Sequence, residues 1–162
     1  IVTKGYSSSD IGNQFDSVSV CLSKGLGAPV GSVVAGNIDF ITKAKRYRKV
    51  FGGAMRQAGY LAAAGIYALE NNIHRLKEDH DKAQQIVEML KKHSYVEEIL
   101  PAETNIVIFK LNSSLSVSDF LSKIELQNVM ATQFGHQAIR MVTHLDITDE
   151  MTEKIKNALN SI

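Results

Sequence analysis

Asp16-Ser17-Val18-Ser19-Val20-Cys21-Leu22 runs directly into Ser23-Lys24-Gly25-Leu26-Gly27-Ala28-Pro29-Val30-Gly31, and Ser32-Val33-Val34-Ala35 follows. The first segment alternates polar and apolar residues, the period-two signature of a strand, and the last is β-prone as well. So short a connection between adjacent strands predicts an antiparallel hairpin at the edge of a mixed sheet. Between the strands, one lysine is delivered into a loop with three glycines and a proline. Backbone bulk is stripped away around a single amine, so a planar ligand can approach it closely. A lysine at the end of a buried strand suits a Schiff base with an aldehyde cofactor or a carbonyl substrate. A surface lysine in a strand-to-strand turn is the alternative.

The 162 residues allow one ordinary domain or parts of two. With 44% hydrophobic and 22% charged residues the composition is that of a globular protein. A net charge of +1 gives no reason to expect an acidic partner or nucleic acid. Cys21 is the only cysteine, so no internal disulfide can form, which fits a reducing cytoplasm. On a buried strand it reads as a small packed hydrophobe. The first residue is Ile1 and no charged-then-apolar leader follows it. The longest apolar stretch, Tyr60 to Leu69, falls short of the about 20 residues needed to span a bilayer.

Residues 1–14 read as loop with a short helical turn. Ile38, Ile41, Ala44 and Tyr47 recur at helical spacing, predicting a helix from 38 to 50 that Gly52-Gly53 stops. A second helix is expected over 55–70. Its apolar residues cover more than one stripe, which predicts burial on several sides. A third, over 73–92, carries a narrower apolar face. Strands follow at 96–100 and 105–111, then a helix over 119–126 opened by a capping box at Ser116-Val117-Ser118-Asp119. Strands at 129–132 and 139–143 and a terminal helix over 148–159 complete the reading, the last with acidic residues in its first turn.

Arg140 shares one face of its strand with Val142 and His144, while Ile139, Met141 and Thr143 occupy the other. A lone arginine in so apolar a strand is costly unless it meets an anion. A structural salt bridge or a ligand carboxylate would both serve. Arg56 follows the Gly52-Gly53 turn where a helix begins, and helix-start amides beside an arginine suit a phosphate. The basic run Lys43, Lys45, Arg46, Arg48 and Lys49 around Tyr47 reads as the solvated side of one helix rather than a nucleic-acid surface. The five histidines lack metal-ligand spacing, so no metal site is expected. His144 reads as structural. The loop glycines miss the dinucleotide fingerprint by one residue, and no Gly-Lys-Ser/Thr phosphate loop exists.

The segment from Phe15 to Ser32 resembles the cofactor-lysine segment of the low-specificity L-threonine aldolases, pyridoxal-phosphate enzymes of the aspartate-aminotransferase fold. Gly52-Gly53-Ala54-Met55-Arg56-Gln57-Ala58-Gly59 and Arg140-Met141-Val142-Thr143-His144-Leu145-Asp146 are similar to that family in the same order. So are Leu61-Ala62-Ala63-Ala64-Gly65 and Arg75-Leu76-Lys77-Glu78-Asp79-His80. The resemblance covers nearly the whole chain.

It implies an α/β fold of the fold-type I pyridoxal-phosphate-dependent transferase architecture. Residues 1–72 would be the C-terminal part of the large cofactor-binding domain, 73–92 a connecting helix, and 93–162 a small α+β domain. Lys24 would hold pyridoxal 5'-phosphate covalently and move protons once freed. Arg56 and Lys49 would lie near the cofactor, and Arg140 would grip the α-carboxylate of an amino-acid substrate. The implied reaction is cleavage of threonine or allo-threonine to glycine and an aldehyde. A β-eliminating lyase, an aminotransferase or a non-catalytic fragment that only assembles with a partner are the alternatives. The family's His-Asp-Gly-Ala-Arg motif is absent from these residues, so the chain reads as the C-terminal part of a longer enzyme. Its expected partners are that upstream segment and further copies, in a cytoplasmic dimer or tetramer, with neither nucleic acid nor membrane involved.

Overall fold

The lysine-bearing stretch folds as the expected antiparallel hairpin, but as a two-stranded sheet of its own rather than the edge of a mixed sheet, because no other strand of the chain pairs with it. Strand β1 (Ser17–Cys21) pairs with β2 (Ser32–Gly36), in register from Ser17 opposite Gly36 to Cys21 opposite Ser32. This computed structural model describes residues 1–162, which divide into two units, Ile1–Leu76 and Lys77–Ile162.

In the first unit a short helix, α1 (Ser8–Gly12), is closed by a reciprocal capping box between Ser7 and Asp10. Helix α2 (Ile38–Val50) starts where the Asn37 side chain accepts the Phe40 amide, and Gly52 at φ +79° turns the chain away after it. Helix α3 spans Gly59–Asn71, not 55–70. The left-handed Gln57 (φ +51°) and the turn at 56–58 hold the chain out of helix until Gly59. The core of this unit is small: Leu22, Leu26, Ala28 and Ala68, with Leu76 packed against them.

Two expectations of burial fail here. The hairpin is exposed along β2 and along β1 except at half-buried Val18. Helix α3 buries only Gly65 and Ala68, leaving Tyr60, Ile66 and Tyr67 in solvent. Periodicity specifies which residues share a face, but nothing within these residues covers those faces.

The second unit is built on a four-stranded antiparallel sheet of order β3-β4-β6-β5. Its strands are β3 (Val96–Ile99), β4 (Ile106–Leu111), β5 (Thr132–Gln133) and β6 (Ala138–Val142). The helices are α4 (Leu76–Leu90), α5 (Val117–Glu125) and α6 (Asp149–Asn160). Alternation sends Val107, Phe109 and Leu111 of β4 and Ile139 and Met141 of β6 into the core. There they join Ala83, Ile86 and Leu90 of α4, Phe120 and Ile124 of α5, and Ala158 and Leu159 of α6. Phe109 and Phe120 meet edge-on with ring centroids 5.5 Å apart. Burying each large side chain contributes roughly 1.5–3 kcal/mol before chain entropy is counted. The expected strand at 129–132 is reduced to Thr132–Gln133, because Val129 drops into the core outside the ladder.

The opposite face of the same sheet carries Ile106, Ile108 and Lys110 beside Arg140 and Val142. It is far more open, with Ile106 41% and Val142 44% exposed. No helix of the structure is long and apolar enough to cross a membrane.

Candidate active site

Lys24 stands on a loop anchored from both sides. The Leu22 amide donates to the Gly31 carbonyl at 2.9 Å, and the Ala28 amide to the Leu22 carbonyl at 3.0 Å. Within the loop the Gly27 amide donates to the Lys24 carbonyl at 2.8 Å, closing a turn with Gly27 at φ +72°. That conformation favours glycine. Leu22, Leu26 and Ala28 point into the core, so Ser23 and Lys24 are turned outward and both are exposed. The sequence predicted an amine on a buried strand; the amine is solvent-facing because the three apolar neighbours take the inward positions. Gly25 lets the turn pack tightly, since a Cβ there would sit 2.9 Å from Leu76 Cδ2.

Cys21 is exposed as well, contrary to its reading as a packed hydrophobe. It faces across the hairpin, where the Ser32 hydroxyl donates to its sulfur at 3.5 Å. That hydrogen bond holds the thiol below its ordinary value of 9.0, with a smaller contribution from the Lys24 charge.

Arg56 is exposed in the turn before α3. That helix has Ala58 at its N-cap and no side chain capping it, which leaves its first amides available to an outside acceptor. An exposed amine on a pinned glycine loop suits an aldehyde, and an uncapped helix start beside an arginine suits a phosphate. These are the kinds of donor that pyridoxal phosphate requires, an amine for its aldehyde and amides with a guanidinium for its phosphate. Lys49 is exposed in the last turn of α2 among its basic neighbours, on the solvated side that the sequence predicted.

Arg140 lies in the second unit, on β6, opposite Ile108 of β4 and Thr132 of β5. Its strand partition matches the expected one: Ile139, Met141 and Thr143 are buried, while Val142 and His144 are exposed. The guanidinium carbon lies 5.8 Å from the centre of the Phe134 ring, and Nε is buried without a hydrogen-bond partner. An orphaned charged donor of this kind is costly unless an acceptor reaches it. Beside it opens a cleft of about 450 Å³ lined by Leu121, Val129, Thr132, Val142 and His144. His144 Nδ1 stands 3.5 Å from the Asp146 carboxylate and accepts the Asp146 amide at 3.3 Å, so its ring is held by its own turn. No group of three or more histidine, cysteine or acidic side chains is arranged to hold a metal.

Two contributors were missed in the sequence. Phe134 lies two residues beyond Thr132, hence on the Arg140 face, a relation that alternation would have shown had β5 been placed correctly. Asn72 reaches back to the lysine loop across 46 positions, for which no local signal exists.

Known proteins resemble this chain over most of its length. The chain is 39% identical over 157 residues to the low specificity L-threonine aldolase of Escherichia coli, covering 96% of this chain and 45% of that one. It is 41% identical over 136 residues to low-specificity L-threonine aldolase 1 of Arabidopsis thaliana, covering 82% of this chain and 38% of that one. The chain thus spans less than half the length of these relatives. Among solved structures, a Listeria monocytogenes protein described as a candidate L-allo-threonine aldolase superposes with a TM-score of 0.75 at 23% identity. That match covers 97% of this chain and 47% of the other. The ornithine aminotransferase of Toxoplasma gondii, crystallized with partial occupancy of PLP, gives 0.62 at 18% identity over 90% of this chain and 36% of its own. These likenesses establish the fold-type I architecture expected from the sequence. A family model for beta-eliminating lyases matches residues 2–114, and the chain belongs to that family.

Proposed function

We propose that the protein carrying this chain is a pyridoxal-phosphate-dependent lyase. It would cleave L-threonine, L-allo-threonine and related β-hydroxy-α-amino acids to glycine and an aldehyde. The observation that carries the reading is the orphaned, buried Nε of Arg140 at the edge of a cleft, a donor set for a carboxylate. The first unit of the same chain carries an exposed amine on a pinned loop.

Lys24 Nζ is the group that holds the cofactor through its aldehyde carbon. Arg56, with the open start of α3, is the complement for the phosphate, and Lys49 adds positive charge nearby. Arg140 binds the substrate α-carboxylate through two parallel N–H donors, which a planar guanidinium does better than an ammonium. Gripping the carboxylate orients the Cα–Cβ bond for cleavage in preference to Cα–H. When bound, pyridoxal phosphate supplies the electron sink for the pair left on Cα. In the balanced reaction the β-hydroxyl proton leaves, the Cα–Cβ bond breaks to release the aldehyde, and Cα gains a proton to become glycine. Lys24 Nζ would carry that last proton.

The matched relatives are more than twice as long as the aligned region, and their additional segment is the expected source of the remaining cofactor contacts. Exposed Phe51, Met55 and Tyr60 mark unit one as a surface for assembly, consistent with a homodimer or homotetramer carrying shared active sites. A cytoplasmic place in threonine breakdown and glycine supply completes the proposal. Incubating the cofactor-loaded protein with L-threonine tests it: glycine and acetaldehyde in equal amounts are expected. Formation of 2-oxobutanoate and ammonia, or of no product, overturns it.

A further inference from the structure

We propose that Phe134 is a positioning residue for Arg140. Its ring fixes the plane of the guanidinium and so sets the affinity for a substrate carboxylate. The inference rests on the assignment of Arg140 as the carboxylate anchor. Thr132 stands directly opposite Arg140 in the β5–β6 ladder, and Phe134 is the diagonal neighbour on the same face. The guanidinium carbon is 5.8 Å from the ring centre, within the range where a cation is attracted to the ring's electron-rich face.

The ring is itself held in place. The Phe134 amide donates to the Ala138 carbonyl at 2.8 Å, and the Gln133 side chain donates to the Gly135 carbonyl at 3.0 Å. The turn between passes through Gly135 at φ +77° and Gln137 at φ +52°. From there the Gln137 side-chain Nε2 donates to the Asn112 and Leu115 carbonyls, each at 3.3 Å, tying the hairpin to the β4–α5 connection. Phe134 thus sits on a pinned turn and presents a face to a long side chain that otherwise has many rotamers. Nε of that side chain has no hydrogen-bond acceptor in the protein, so the ring contact is what orients the guanidinium plane. An arginine ordered before binding loses less entropy when the carboxylate arrives.

The test uses the full, cofactor-loaded protein with Phe134→Leu, which keeps apolar bulk, and Phe134→Tyr, which keeps the ring. Phe134 is 47% exposed, so neither change empties the core. Calorimetric binding of glycine and the kcat and KM for L-threonine are measured for each. The expected result for Phe134→Leu is a rise of about 3- to 10-fold in both the glycine Kd and KM, with kcat within about two-fold. Phe134→Tyr is expected to restore both constants. In the unmutated protein the Arg140 Nε–H resonance should carry a ring-current shift and a nuclear Overhauser contact to the Phe134 ring. Unchanged constants in Phe134→Leu, or no such contact, overturn the inference. Arg140→Ala separates the two levels: if it leaves the glycine Kd unchanged, the anchor assignment itself is wrong. If it weakens glycine while Phe134→Leu does not, only the positioning role is.

Discussion

The Asn72 side-chain amide donates a 2.7 Å hydrogen bond to the Leu26 carbonyl, joining the end of helix α3 to the loop that carries Lys24. With Leu22, Leu26 and Ala28 buried on the same side, it turns a glycine-rich segment into a fixed platform for one amine. Asn72→Ala removes the donor and leaves the Leu26 carbonyl without it. A loss of about 1 kcal/mol in urea unfolding is expected. Faster hydrogen exchange at the Gly27 and Ala28 amides should accompany it, and unchanged exchange would contradict the platform.

Gly65 serves the same platform from the helix side. A Cβ there would meet Leu22 Cδ1 at 2.9 Å, whereas at Gly59, at the start of the helix, it would meet nothing within 4 Å. Alanine in a helix interior gains about 1 kcal/mol over glycine, but overpacking a filled contact costs about 1–3 kcal/mol. Gly65→Ala should therefore lower the melting temperature, while Gly59→Ala should leave it level or raise it. Equal responses would show that the close approach is not required.

The exposed Cys21 thiol titrates below 9.0 because the Ser32 hydroxyl donates to its sulfur, with Lys24 adding a smaller attraction for the thiolate. A lowered value means more thiolate at a given pH and faster alkylation. The rate of iodoacetamide labelling against pH should show its midpoint below that of a free cysteine. Ser32→Ala should move the midpoint upward, and Lys24→Gln should move it upward by less.

In the second unit, burial pushes the Tyr95 phenol up to about 12, while its hydroxyl donates to the Leu159 carbonyl at 3.0 Å. The unfolded phenol ionises near pH 10. Because the folded value is the higher one, the phenol's contribution is complete below about pH 10 and is lost as pH climbs towards 12. Urea unfolding across that window should show stability falling, and Tyr95→Phe should remove that component of the slope.

Local chemistry made much of this structure legible. Asn37 capping α2, Ser116 capping α5 and Thr148 capping α6 each sit where a short polar side chain precedes an apolar period. The Arg140 strand partition followed from alternation alone. Burial did not. Val18, Val20 and Leu22 alternate as a covered strand would, yet alternation cannot say whether a covering layer exists, and only Leu22 is buried. The Phe134–Arg140 contact depends on a turn through left-handed Gln137, a residue with no intrinsic preference for that conformation. The Asn72 contact depends on the three-dimensional return of α3 to the loop.

The most direct test of the central claim is chemical. Protein loaded with pyridoxal phosphate is reduced with borohydride, digested and sequenced by mass spectrometry. One pyridoxyl group is expected, on Lys24, and none in Lys24→Ala. A label on another lysine, or no label at all, would contradict it.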